Sequence, residues 1–289
     1  MLRHGLARRP APAPRLLIFV AMDTSIKWMT GGFPPAQVIW ARFLFSFLAV
    51  ALFFRLWLGR LPWRSRAPGL QALRSLTLLG CSLLFATALS RIPLADATAV
   101  GFASPLLTIA LAALVLKERV GARRWLGVAI GFAGVMVALR PPFLTGFVPD
   151  WGYLLPLGTA LGFAWYQILT RRLAALDDAR VTIFHTGLAA TLGACLIQPF
   201  VFVPPSPAQW AFLAAVGLLG AVGHGFLVMA YARASASLLA PLSYSQLVWA
   251  TLAGVLVFGE RPDGWTLLGA LVIALGGVLA ALPQRNPAG

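Results

Sequence analysis

Charge is scarce in this chain. Of 289 residues only 11% are charged, and just eight are acidic; a soluble domain carries about 25% charged residues. Sixty per cent are apolar. A soluble globule of this size cannot hide that much apolar surface, which excludes a soluble enzyme and a disordered chain alike. Cysteine is scarcer still. Cys81 and Cys195 each lie inside an apolar run, so they read as small core residues, and a disulfide scaffold is excluded. There is no CxxC, HExxH, P-loop or GxGxxG, and the histidines do not cluster with other ligands. No metal and no cofactor are expected.

Long apolar runs are what the chain has. A transmembrane helix needs roughly 20 mostly apolar residues. Ten such runs occur, over 15–31, 35–57, 70–90, 94–116, 122–139, 151–170, 180–202, 208–231, 236–258 and 264–282. The gaps carry breakers such as Gly31-Gly32-Phe33-Pro34-Pro35 and Pro204-Pro205-Ser206-Pro207. No gap holds a soluble domain, so function lies within the bilayer. The first run resembles a signal peptide, but Asp23 and Lys27 interrupt it and no small-x-small cleavage site follows. The fold class expected is an all-α membrane protein of ten transmembrane helices.

The net charge of +15 does not point to nucleic acid, because the basic residues sit in short gaps rather than in a stripe. They point to a lipid bilayer and to orientation in it. With a cytoplasmic N-terminus, 18 basic residues between Arg3 and Arg285 fall on the inner side, Arg74 among them. Only Arg91, Arg140 and Arg261 fall outside. Lysine and arginine are retained on the cytoplasmic side, so both termini are expected there, in a bacterial inner membrane.

The sequence repeats at an offset of 142. Lys117-Glu118-Arg119 aligns with Gly259-Glu260-Arg261, Leu126-Gly127 with Leu268-Gly269, and Gly134 with Gly276. The chain therefore reads as a tail (1–14), a five-helix half (15–140), a linker (141–150), a second half (151–283) and a tail (284–289). Five is odd, so the second half is inserted upside down. Inverted repeats of this kind are a recurring plan of secondary transporters.

These features resemble the drug/metabolite transporter superfamily, specifically EamA-type transporters with two EamA repeats. The resemblance rests on Leu116-Lys117-Glu118-Arg119 and Phe258-Gly259-Glu260-Arg261, each followed by a glycine-spaced helix (Gly127/Gly131/Gly134 and Gly269/Gly276/Gly277). Lys117 stands where many members carry glycine. Asp23-x-x-x-Lys27-Trp28, Ala41-Arg42-Phe43 and Pro93 to Ala99 are similar to a bacterial subgroup associated with uptake of metabolites such as S-adenosylmethionine or riboflavin. The resemblance implies a central cavity walled by helices 1–4 and 6–9, with helices 5 and 10 peripheral.

Several residues are candidates for that cavity. Asp23 and Lys27 share one helix face, and each charge in a bilayer costs about 2.5–3.5 kcal/mol. They read either as a neutralising pair or as a polar element of the substrate path. Arg42 either snorkels outward or holds an anionic group with its planar fork. Trp165, Tyr166 and Gln167, and likewise Tyr244, Ser245, Gln246 and Trp249, suit a flat, partly polar metabolite; the alternative is ordinary packing with interhelical hydrogen bonds. His185 and His224 read as hydrogen-bond partners or as relay groups. Pro105 and Pro241 interrupt their helices and are candidate hinges or plain kinks. Gly127-x-x-x-Gly131 permits close helix approach, within the chain or in a homodimer. Glu118 and Glu260 read as structural partners for arginines or loop amides. Trp63, Trp125, Trp151, Trp210 and Trp265 fall near span ends, as an aromatic belt would.

The function expected is a secondary transporter of a small organic metabolite (amino-acid-, nucleoside- or flavin-like), working by alternating access and not as an enzyme. The alternative is a polytopic membrane enzyme acting on a lipid or membrane-embedded substrate. It lacks an evident nucleophile–histidine setting or acidic metal cluster. A channel lacks a charged ring or filter-like loop.

Overall fold

The structure, a computed structural model, describes residues 13–117, 120–140, 150–233 and 244–282. Glu118, Arg119, Pro241, the linker residues 141–149, and residues 1–12 and 284–289 of the two tails lie outside them. The described residues are helical almost throughout: α1 (Ala13–Thr30), α2 (Pro35–Leu58), α3 (Pro68–Leu89), α4 (Leu94–Gly101), α5 (Ser104–Val115), α6 (Ala122–Leu139), α7 (Leu154–Ala174), α8 (Ala179–Ile197), α9 (Pro207–Arg233), α10 (Ser245–Phe258) and α11 (Gly264–Ala281).

Local chemistry sets these boundaries. Proline stands at the first helical position of α2 and α3, where its missing N–H costs nothing. Gly59 and Gly259 close α2 and α10 in the left-handed conformation. Three of the eight acids are helix caps. Asp150 Oδ1 accepts the N–H of Gly152, Asp178 Oδ1 that of Arg180, and Asp263 Oδ1 that of Thr266.

Taken with the short break at 102–103, α4 and α5 form one span, so the described residues hold ten helical rods. Seven helical segments are long and apolar enough to cross a membrane by length and composition. The other three rods are α1, which carries Asp23 and Lys27; α7, which carries Arg171 and Arg172 in its last turn; and α10, of 14 residues. The rods alternate in direction. One end of the bundle holds the loops after α2, α5 and α7 and is rich in arginine; it is called the basic end below. The other holds the loops after α1, α3, α6, α8 and α10.

Packing between the halves obeys an exchange rule. α1 packs on α9 as α7 packs on α3; α2 packs on α9 as α8 packs on α3; α1 packs on α10 as α7 packs on α5. α2 meets α8, α4 meets α10, and α6 meets α11. α1 starts at the basic end and α7 at the opposite end, so the five-helix halves run in opposite senses.

The α6–α11 contact is the most extensive between any two helices. A Cβ on Gly276 would lie 2.4 Å from the backbone nitrogen of Gly131 and 2.6 Å from the carbonyl oxygen of Gly127. The Gly127-x-x-x-Gly131 stripe is thus filled by α11 of the same chain and is not free to serve a homodimer. Arg74 corrects a second expectation. Counted from sequence among the inner-side basic residues, it is instead almost completely buried, in the second turn of α3.

Candidate functional site

A cavity of about 250 Å³ lies between the halves, walled by α1, α2, α3, α4, α5, α7, α9 and α10. It sits just below the usual range of small-molecule sites, roughly 300–1,000 Å³. The rods contribute through helical stripes. Phe19 and Asp23 are one turn apart on α1, and Ser82 and Phe85 on α3. Thr159, Phe163 and Gln167 fall at four-residue spacing on α7. In the fourth rod the wall is the break itself. Pro105 has no N–H to offer the carbonyl of Gly101, and both residues face the cavity with Phe102 and Ser104.

Charge enters from two walls. Arg42, on α2, is 2% exposed. Its Nη2 donates to Ser82 Oγ at 2.7 Å, its guanidinium lies 4.0 Å from the Phe43 ring centre, and its buried Nε has no partner. Asp23, on α1, is 8% exposed and feels the charge of Arg42. Among the described residues its carboxylate has no hydrogen-bond or ion-pair partner. That sets it apart. Asp150, Asp178 and Asp263 cap helices, and Asp96, Asp177 and Glu260 accept hydrogen bonds from named donors. A carboxylate left bare in a protein interior costs free energy, which a bound cationic group would offset.

Four phenylalanines, Phe19, Phe85, Phe102 and Phe163, supply apolar faces around these charges. His224, Gln167 and Gln246 add hydrogen-bonding groups. His224 meets the Phe19 ring edge-on at 5.5 Å.

The structure therefore brings Asp23, Arg42, Gln167, Gln246 and His224 to one cavity, with Pro105 in its wall. It does not bring Lys27, Trp165, Tyr166, Tyr244, Ser245, Trp249 or His185 to it. Lys27 lies one turn beyond Asp23, toward the end of the bundle opposite the basic end. Its ammonium has three donors and three acceptors: Glu260 Oε1 at 3.0 Å, Leu89 O at 2.8 Å and Ile92 O at 2.7 Å. Glu260 Oε2 in turn accepts the N–H of Leu94 at 2.9 Å. Tyr166 binds Arg74, whose Nη2 reaches its hydroxyl at 2.5 Å while Nε and Nη1 reach Thr170 and Thr186. Tyr244 packs on Phe102 and is buried, Trp165 is half-buried, Ser245 is half-buried at the start of α10, and Trp249 is 39% exposed on the outer surface. His185 Nδ1 pairs with the carbonyl of Val181 one turn back on α8.

Polar clusters that no local pattern announces tie the two halves together at both ends. Opposite the basic end, Asp96 accepts from Thr266 Oγ1 at 2.7 Å, from Arg140 and from Tyr153, and Arg140 also pairs with Asp263. At the basic end, Asp177 accepts from Ser65 Oγ at 2.5 Å, Arg66 N–H at 2.8 Å and Gln71 Nε2 at 2.8 Å. Each cluster joins the first half to the second.

The Asp177 knot has a pH signature. Partial burial pushes its carboxyl up, but the donors from Arg66, Ser65 and Gln71 outweigh this and hold it below the ordinary carboxylate range. A depressed carboxylate contributes stability above its unfolded value of about 4 and loses that contribution as pH falls through the folded value. Asp177→Asn should lower the melting temperature of the purified protein near pH 7, and the gap from wild type should close as the pH drops below about 4. A gap constant down to pH 3 would show that the ionised carboxylate is not what ties these loops.

A family model for the EamA-like transporter family matches residues 16–140 and again 150–282. The chain belongs to the EamA-like transporter family. It is 33% identical over 261 residues to a riboflavin transporter of Rhizobium johnstonii, spanning 89% of this chain and 85% of that one. It is 28% identical over 251 residues to an S-adenosylmethionine uptake transporter of Rickettsia prowazekii, spanning 87% and 84%. A crystal structure of a protein 23% identical superimposes with a TM-score of 0.68 and covers 94% of this chain and 96% of that chain, which shows a shared fold. This EamA protein is a bacterial multi-pass membrane protein and a small-metabolite transporter rather than an enzyme.

Proposed function

We propose that this EamA transporter carries a small, flat organic metabolite bearing a positive group, and a negative or strongly polar one, through the cavity between its halves. The observation that carries this reading is the pairing of an unpartnered Asp23 with Arg42 inside a wall of four phenylalanine rings. Asp23 takes the cationic group, the guanidinium of Arg42 takes the anionic or carbonyl group, and the rings stack on the planar body. The name of one relative fits such a substrate in full, since S-adenosylmethionine joins a purine to a cationic sulfonium and a zwitterionic amino acid; the riboflavin of another shares the planar heterocycle but bears no positive group.

Movement follows from the inverted halves. Opening toward one side breaks the cross-half cluster at that end and keeps the other. The arginine-rich end faces the cytoplasm of the inner membrane, with both termini on that side. The test is uptake by protein-containing vesicles over a panel of nucleoside, flavin and amino-acid metabolites. Expected is saturable uptake of at least one planar member, accelerated by the same solute on the far side. Uptake that never saturates, or that ignores solute on the far side, overturns alternating access. The absence of uptake across the panel overturns the substrate class.

A further inference from the structure

A second cavity, of about 680 Å³, lies at the basic end, beside the Asp177 knot. Its walls come from the loop after α2, through Arg60, Trp63 and Arg64, and from the start of α8, through Asp178 and Arg180. Three arginines and one aspartate therefore line it. Arg60 and Arg64 have no hydrogen bond or ion pair among the described residues. Arg180 Nε stands 3.9 Å from Asp178 Oδ1, an oxygen already accepting the Arg180 N–H at 2.8 Å as the cap of α8. Among the described residues, Asp178 is the one carboxylate that lines the pocket against three arginines, which leaves a surplus of positive charge.

α2, whose Leu58 lines this pocket, carries an exposed apolar stripe in its last two turns. Phe53, Leu56 and Trp57 lie on one stripe of the last two turns of α2. They are 57%, 77% and 78% exposed, and the Phe53 and Trp57 rings stack at 6.0 Å.

We propose that this pocket binds the headgroup of an anionic glycerophospholipid. The phosphodiester sits in the arginine forks, which match phosphate geometry, and the acyl chains run along the Phe53–Trp57 stripe. Basic pockets at the membrane face between helices take such headgroups. The apolar stripe is what selects a lipid over free phosphate. Because the walls belong to both halves, the bound lipid bridges them beside the Asp177 knot.

The test is native mass spectrometry of the detergent-purified full chain with added phosphatidylglycerol, with phosphatidylethanolamine and inorganic phosphate as separate arms. Wild type should retain one phosphatidylglycerol far longer than phosphatidylethanolamine, and inorganic phosphate should not displace it. Arg60→Gln/Arg64→Gln/Arg180→Gln should weaken that adduct roughly fivefold for each arginine removed. Arg123→Gln/Arg124→Gln, which strips charge from the start of α6 at the same end, should leave it intact. If the triple variant does not purify folded, Arg64→Gln alone carries the test, with its single fivefold loss. Equal retention by the triple variant and wild type, equal binding of the two lipids, or displacement by inorganic phosphate each overturns the proposal.

Discussion

Asp23→Asn should abolish most transport while leaving the protein as stable as wild type, or more stable. Asparagine keeps the shape and polarity of the side chain and removes only its charge. Among the described residues the Asp23 carboxylate has no donor to lose, so the substitution breaks no contact that holds the bundle. It also removes an isolated charge from the interior, where such a charge costs free energy. A hydrogen bond to a charged group contributes about 1.5–3 kcal/mol, so losing one to the cationic end of the substrate should weaken binding about tenfold to a hundredfold. Two measurements separate a substrate role from a structural one: the affinity for whichever metabolite the vesicle panel identifies, and the melting temperature in detergent. A folded variant that binds and transports as wild type does removes Asp23 from the route. A fall in melting temperature with unchanged affinity makes it a packing residue.

The helical rods were legible because the bilayer imposes length and apolarity on each of them, and the breakers at Pro34, Pro93 and Pro207 coincide with observed helix starts. Parts of the cavity were legible as well. Thr159, Phe163 and Gln167 stand four residues apart, and following that spacing would have separated Gln167 from its neighbours Trp165 and Tyr166, which turn elsewhere on α7. Clusters of adjacent aromatics misled because neighbours in a helix point about 100° apart. The partners of Lys27 were not readable. Leu89, Ile92 and Glu260 lie 62 to 233 residues away, and two of them act through backbone carbonyls, which no side-chain pattern marks. Arg74 was misjudged for a related reason: its partners Tyr166, Thr170 and Thr186 are neutral, so no acidic residue pointed to its burial. Asp96 and Arg140 come together only once α4, α6 and α11 have packed.

Lys27 should behave in the opposite way to Asp23. Its ammonium satisfies all three donors in a setting only 14% exposed, against a Glu260 carboxylate that is equally buried. It also sits over the C-terminal end of α3, where the last carbonyls lack helical partners and carry partial negative charge. Lys27→Met removes the cation and leaves Glu260 ionised, with only the Leu94 N–H for support. Breaking a buried pair from one side costs about 3–5 kcal/mol, with the lower figure expected here because both groups keep some exposure. The single variant should therefore lose much of its melting temperature and its yield in the membrane, and its transport should fall with them. Adding Glu260→Gln restores neutrality and keeps an acceptor for Leu94, so the double variant should recover more than half of the lost stability, the non-additive result expected of groups in direct contact. Substrate affinity in whatever double variant folds should match wild type, since neither residue lines the cavity. Additive losses in the double variant would deny the ion pair, and a double variant that folds normally yet binds substrate tenfold more weakly would return Lys27 to the transport route.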